Sequence, residues 1–147
     1  MSDSTIPPAR PAHLGWRLVA LLYDFFPVLA LWFAGSGLVL LLRGGAPVLP
    51  DSPAAWAELA FLWAISGAYA VLSWRRGGQT LGMRPWRLKV VAADGRPAGT
   101  PALALRYLVA TLSLAAAGLG FLWCLVDSDR RAWHDLASRT VLVRLER

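Results

Sequence analysis

One cysteine and two histidines are all that this 147-residue chain holds of the strongly metal-binding side chains. Cys124 has no second thiol to pair with, and His13 and His134 make no zinc-type ligand set with it. Neither a disulfide framework nor a metal is expected to organise the fold, and no cofactor is expected. Cys124 lies within an apolar run, where a thiol serves as a small hydrophobe. Acidic residues are also scarce, nine against fifteen lysines and arginines, for a formal charge of +6. An excess of this kind is one mark of nucleic-acid binding, but no readable DNA- or RNA-binding motif accompanies it, so no nucleic-acid partner is expected. A placed nucleophile is missing too. His134 and Asp135 are adjacent on a helix and do not face each other, and no serine or cysteine sits in a catalytic motif. No catalytic residues are expected, and no enzyme.

What the chain has in abundance is apolar sequence. It is 56% hydrophobic with eight tryptophans, and its apolar runs are continuous rather than alternating. That pattern belongs to a chain dissolved in a bilayer. The polar, proline-rich segment 1–13 reads as a disordered leader to a membrane domain over 14–145. The first apolar run, about Trp16 to Leu42, is too long for a cleaved signal segment and reads as a retained transmembrane helix. Pro27 predicts a kink within it. A Gly- and Pro-rich turn leads to a second helix, about Trp56 to Trp74, with tryptophans at both ends as in interfacial belts.

The next segment carries Arg75, Arg76, Arg84, Arg87, Lys89 and Arg96 against a single Asp94. That asymmetry predicts a cytoplasmic loop and, two helices earlier, a cytoplasmic N-terminus, as in a multi-pass protein of a bacterial inner membrane. Within the loop, period-two alternation over Trp86 to Val91 predicts a short strand, with a turn at Asp94–Gly95. The tail, Thr140 to Leu145, alternates in the same way, and two lone strands most economically pair with each other. A single crossing by the last apolar run, Ala102 to Val126, would put that tail across the bilayer from its partner and break the positive-inside rule. The run is too short for two full crossings. A break near Gly118–Gly120 with a hairpin or re-entrant return is therefore expected. The fold class expected is an all-α polytopic membrane protein of three apolar segments, the last broken, with a short cytoplasmic β pairing. The spacings Ala116–Gly120 and Ser113–Ala117 would allow close helix approach, within a homo-oligomer or to another membrane partner.

Two clusters carry the chemistry. Between Leu18 and Leu42 the only charged side chain is Asp24, and a carboxylate at that depth costs about 2.5–3.5 kcal/mol on insertion scales. Such residues mark ion, proton or substrate routes, or pair internally to hold helices together. Arg17 is about two turns away on nearly the same face. Pro27 has no N–H and leaves the Tyr23 carbonyl without its helical donor. Tyr23 and Asp24 could then offer clustered oxygens to a small hard cation or a proton. The second cluster, around His134 and Asp135, lies among Arg130, Arg131 and Arg139, and the topology makes Asp135 and Arg17 neighbours at the cytoplasmic interface, where a boundary charge gains from a partner.

An arginine at the start of the first membrane helix, an aspartate deeper in it, "GGQTLGMRPWRLKVV" in the loop and a late "WHDLASRTVLV" resemble the RDD family of bacterial membrane proteins, named for one arginine and two aspartates. Arg17, Asp24 and Asp135 match the named positions. One departure is Met83, where a lysine after the glycine is more usual. The resemblance implies a multi-pass inner-membrane protein with transport of ions or small ligands, sodium/proton exchange among them. Two readings stand side by side: a transporter with Asp24 as the exchanging carboxylate, and a non-transporting scaffold or accessory subunit whose charges lock helices. The partners expected are the lipid bilayer and, for the first reading, a small cation or proton.

Overall fold

A computed structural model of the chain describes residues 9–146. Its order is β1 (Ala9–Pro11), α1 (Leu14–Leu42), α2 (Pro53–Gly77), β2 (Leu88–Ala92), α3 (Thr100–Ala115), α4 (Leu119–Leu122), α5 (Trp133–Ser138) and β3 (Thr140–Leu145). A 3-10 turn precedes β2 at Arg84–Trp86 and another follows α4 at Trp123–Leu125. The 29 residues of α1 and 25 of α2 exceed the roughly 20 a bilayer crossing needs. Only 6% of the most apolar window of α1, and 17% of that of α2, is buried within the chain. Faces as bare and apolar as these are stable against lipid, not water. Two helices are thus long and apolar enough to cross, or three if α3 and its bent continuation count as one.

Local sequence sets the helix ends. Pro53 stands in the first turn of α2, where its missing N–H costs nothing, and the Ser52 hydroxyl accepts from the Ala55 N–H at 3.2 Å. α1 continues through Pro27 as one helix.

The expected break in the last apolar run is present. α3 ends at Ala115, Ala117 and Gly118 take left-handed conformations, and the segment Leu119–Leu125 turns 106° from α3. The return then folds back along α3. A Cβ on Gly120 would stand 2.2 Å from the Ser113 hydroxyl and 2.7 Å from the Trp133 ring. This corrects the reading of Ala116–Gly120 and Ser113–Ala117 as helix-approach pairs. The helix breaks between their members, and Gly120 makes its close approach inside the chain.

The two expected strands pair antiparallel, Val90 opposite Leu142 and Val91 opposite Val141. A third strand was not expected. β1 pairs with the other edge of β3, Arg10 opposite Arg144, giving the order β1-β3-β2. The disordered leader read over 1–13 is therefore corrected at Ala9–Pro11. Pro11 there suits an edge strand, which need not donate on both sides. The leader is corrected at Ala12 too, which is buried and donates its N–H to the Leu142 carbonyl at 3.0 Å, while residues 1–8 lie outside the described residues. The sheet gathers both chain ends and the middle loop at one end of the helices. A small core fills the junction, with Leu88, Leu103, Val90 and Leu142 buried and Trp16, Trp74 and Trp86 packed against it.

Candidate functional site

Asp135 is the N3 residue of α5, and its Oδ2 accepts the Ala132 N–H at 2.9 Å. It is 1% exposed. Two guanidiniums close on it from different helices. Arg17 Nη2, from the first turn of α1, lies 2.6 Å from Oδ2, and Arg106 Nη1, from the middle of α3, donates to Oδ1. Arg106 Nη1 also donates to the Thr140 hydroxyl at 2.8 Å, and that hydroxyl lies 2.7 Å from the Ser138 hydroxyl. Arg17 continues outward, donating from Nη2 to the Arg130 carbonyl at 3.0 Å and from Nε to the Ala12 carbonyl at 3.4 Å. One carboxylate thus ties α1, α3, α5 and β3 together.

The electrostatics follow from this packing. Burial alone would raise the Asp135 carboxyl, but Arg106 and Arg17 outweigh it and hold the group well below the usual carboxylate range. The neighbouring His134 is buried against the Phe121 ring, centroids 4.8 Å apart. Burial, then the Arg106 charge, push its imidazole down to about 3, so it is neutral at ordinary pH. Two guanidiniums share one carboxylate, and among the described residues no second carboxylate pairs with either of them.

Asp24 forms a second, separate cluster. Its Oδ1 accepts the Tyr69 hydroxyl at 2.7 Å and the Gly82 N–H at 2.9 Å, while Oδ2 accepts the Thr80 hydroxyl. Tyr69 in turn accepts the Leu81 N–H at 3.1 Å. The loop after α2 is thereby pinned to α1 so closely that only glycine fits at 82. A Cβ there would lie 2.3 Å from the Ala20 carbonyl oxygen and 2.7 Å from the Asp24 carboxyl carbon.

Among the described residues no ion pair joins Arg17 to Asp24. The expected neighbours Arg17 and Asp135 are in contact, and Asp24 stands apart from that pair, among hydroxyls and a backbone N–H. The expected role of Tyr23 needs correcting in the same way. It is half exposed and stacks edge-on against Trp86, centroids 5.5 Å apart, while Tyr69 of α2 supplies the hydroxyl. Pro27 lies one turn beyond Asp24 and is not among its partners. His134 touches the Asp135 site, its Nε2 3.8 Å from Oδ1. Met83, the departure from the family pattern, is 5% exposed and lies in the core beside the sheet.

Sequence reasoning passed over Arg106, although the signal was there. It is the only charged residue between Pro101 and Val126, and the rule that singled out Asp24 applies to it equally. Tyr69 and Thr80 carried no such signal. A groove of about 490 Å³ between α1, α2 and α3 joins the two clusters, with Arg17, Asp24, Tyr69, Arg106 and His134 in its wall.

No curated protein and no solved structure gives a significant match to the sequence. The sequence profile of the RDD family matches residues 11–139, a span that contains Arg17, Asp24, Arg106 and Asp135. The chain belongs to the RDD family.

Proposed function

We propose that this chain is a non-transporting membrane scaffold or accessory subunit, and that its intramembrane charges are locks rather than exchange sites. The observation that carries this reading is the set of three donors that converge on Asp24. Tyr69 O–H, Thr80 O–H and Gly82 N–H all point at the carboxylate. A hard cation needs oxygen lone pairs turned toward it, and these groups turn protons instead. The Arg17–Asp135–Arg106 cluster supports the same reading, because each of its bonds joins separate elements. The reading includes no catalytic activity. It places the protein in the bacterial inner membrane with both ends in the cytoplasm, which the excess of arginine over acid beside β2 and β3 supports.

The second reading is transport of an ion or small ligand by an oligomer. The groove favours it, since Asp24 is in its wall. Purified protein in liposomes under imposed pH and sodium gradients separates the two. The scaffold reading expects no flux above that of empty liposomes, and none of the difference that Asp24→Asn would make. Proton-coupled flux that Asp24→Asn abolishes, in a variant that still folds and inserts, overturns it in favour of an exchanger.

A further inference from the structure

The groove has chemically different ends. At the end near the sheet, Arg17 and Arg106 are each 3% exposed and His134 is 4% exposed. Arg17 Nη1, Arg106 Nε, His134 Nδ1 and the indole N–H of Trp74 are all buried without a hydrogen-bond partner among the described residues. A buried donor left unpaired keeps the full cost of its desolvation, and the cost is greater on a charged group. Four such atoms on residues of one groove form a set of donors and an acceptor awaiting a partner. At the other end the polar atoms are already satisfied. The Trp32 indole N–H donates to the Ser66 hydroxyl at 2.7 Å, and that of Trp63 to the Thr111 hydroxyl at 3.1 Å. Those walls therefore offer only apolar surface.

Charge runs in the same direction. Two guanidiniums meet one carboxylate at the sheet end, and the Asp24 carboxylate farther along is occupied by its three donors. From Arg17 to Trp32 the wall extends about 22 Å at the helical rise per residue, most of the way across a bilayer core. Phe25, Leu114 and Trp32 in the wall are 56%, 57% and 38% exposed, so the groove opens sideways where hydrocarbon would lie. Its volume of about 490 Å³ is within the range of ligand sites.

We propose that this groove is a binding site for an anionic phospholipid of the surrounding bilayer, its phosphate against Arg17, Arg106 and Trp74 and an acyl chain along Trp32 and Trp63. The head meets the unshared positive charge and the chain meets the satisfied, apolar walls. The lipid enters through the lateral opening. Arg17 and Arg106 keep their bonds to Asp135 and use the nitrogens those bonds leave over.

The test uses full-length protein in detergent, with thermal unfolding and lipid retained in native mass spectrometry as readouts. Phosphatidylglycerol, phosphatidylcholine of the same chains and inorganic phosphate are added separately. Phosphatidylglycerol is expected to raise the unfolding temperature and to remain bound one per chain, with the other two doing neither. Ala110→Trp fills the groove wall one turn from Arg106 without removing a charged group, and should weaken retention about tenfold or more. Ala110→Leu is the milder form if the tryptophan variant does not accumulate. Trp74→Phe removes one unpaired N–H and should weaken retention about fivefold. Equal stabilisation by phosphatidylcholine would overturn the anion preference. An equal effect of inorganic phosphate would show that the chain is not recognised. Unchanged phosphatidylglycerol retention in the Ala110 variants would put the lipid on the surface arginines and overturn the groove site.

Discussion

Asp135→Asn is the most informative single change. It keeps the shape of the side chain and removes the one negative charge that two buried guanidiniums share. Removing one partner of a buried ion pair costs about 3–5 kcal/mol, because the other charge is left uncompensated. Here the lost carboxylate serves both Arg17 and Arg106, each 3% exposed. The cost should lie at the top of that range or above it, a large share of the roughly 5–15 kcal/mol a domain holds. Arg106→Met should cost less, about 2–3 kcal/mol, because it leaves Arg17 and Asp135 as a one-to-one pair and Asp135 keeps the Ala132 N–H. The double variant Asp135→Asn/Arg106→Met removes one charge of each sign. Its cost should fall short of the sum of the single costs by about 1–3 kcal/mol. Thermal unfolding of detergent-solubilised protein, followed by tryptophan fluorescence, measures all three, with yield from the membrane as a second readout. If Arg106→Met costs more than Asp135→Asn, or if the double is additive within a few tenths of a kcal/mol, the shared-carboxylate argument fails.

Asp24→Leu should destabilise by several kcal/mol, since it strands three donors at about 1–3 kcal/mol each, whereas Asp24→Asn keeps an acceptor and should cost about 1 kcal/mol; equal costs in the same unfolding assay would contradict this. Gly82→Ala must push a Cβ onto the Ala20 carbonyl and should cost more than about 2 kcal/mol, a loss that a wild-type unfolding temperature would disprove. His134 titrates at about 3 when folded and near 6.5 when unfolded, so the unfolded chain binds the extra proton between those values. Stability should therefore fall as pH drops below about 6.5, by up to about 1.4 kcal/mol per unit, and His134→Leu should flatten that slope down to about pH 4, where protonation of Asp135 in the unfolded chain takes over. A slope unchanged in His134→Leu would assign the proton to another group. A C-terminal alkaline phosphatase fusion should be inactive, because the sheet that holds the tail beside β2 puts both on the side the arginine excess marks as cytoplasmic; activity would invert the topology.

Much of this architecture was legible in order along the chain, because local physics writes it there. Run length and hydropathy gave α1 and α2. Period-two alternation gave β2 and β3, and the arginine asymmetry joined with strand pairing demanded the break that Ala117 and Gly118 make. β1 was hidden because three residues with a proline carry no periodic signal, and their pairing depends on an edge that only the folded β3 presents. Arg17, Asp24 and Asp135 stood out by their type and depth, and the topology already set Arg17 beside Asp135, which their 2.6 Å contact bears out. Spacing on one helix also offered Arg17 as a distant partner for Asp24. Folding instead brought up Tyr69, Thr80 and Gly82 from α2 and the loop after it, and carried Asp135 across to Arg17 and Arg106 from the far end of the chain. Sequence determined which groups were too costly to leave alone in a bilayer. The partner each found was decided by packing, the loop after α2 closing on Asp24 and the return of the last segment along α3 bringing Arg106 to Asp135, because a buried charge takes whichever complementary group comes within hydrogen-bond reach.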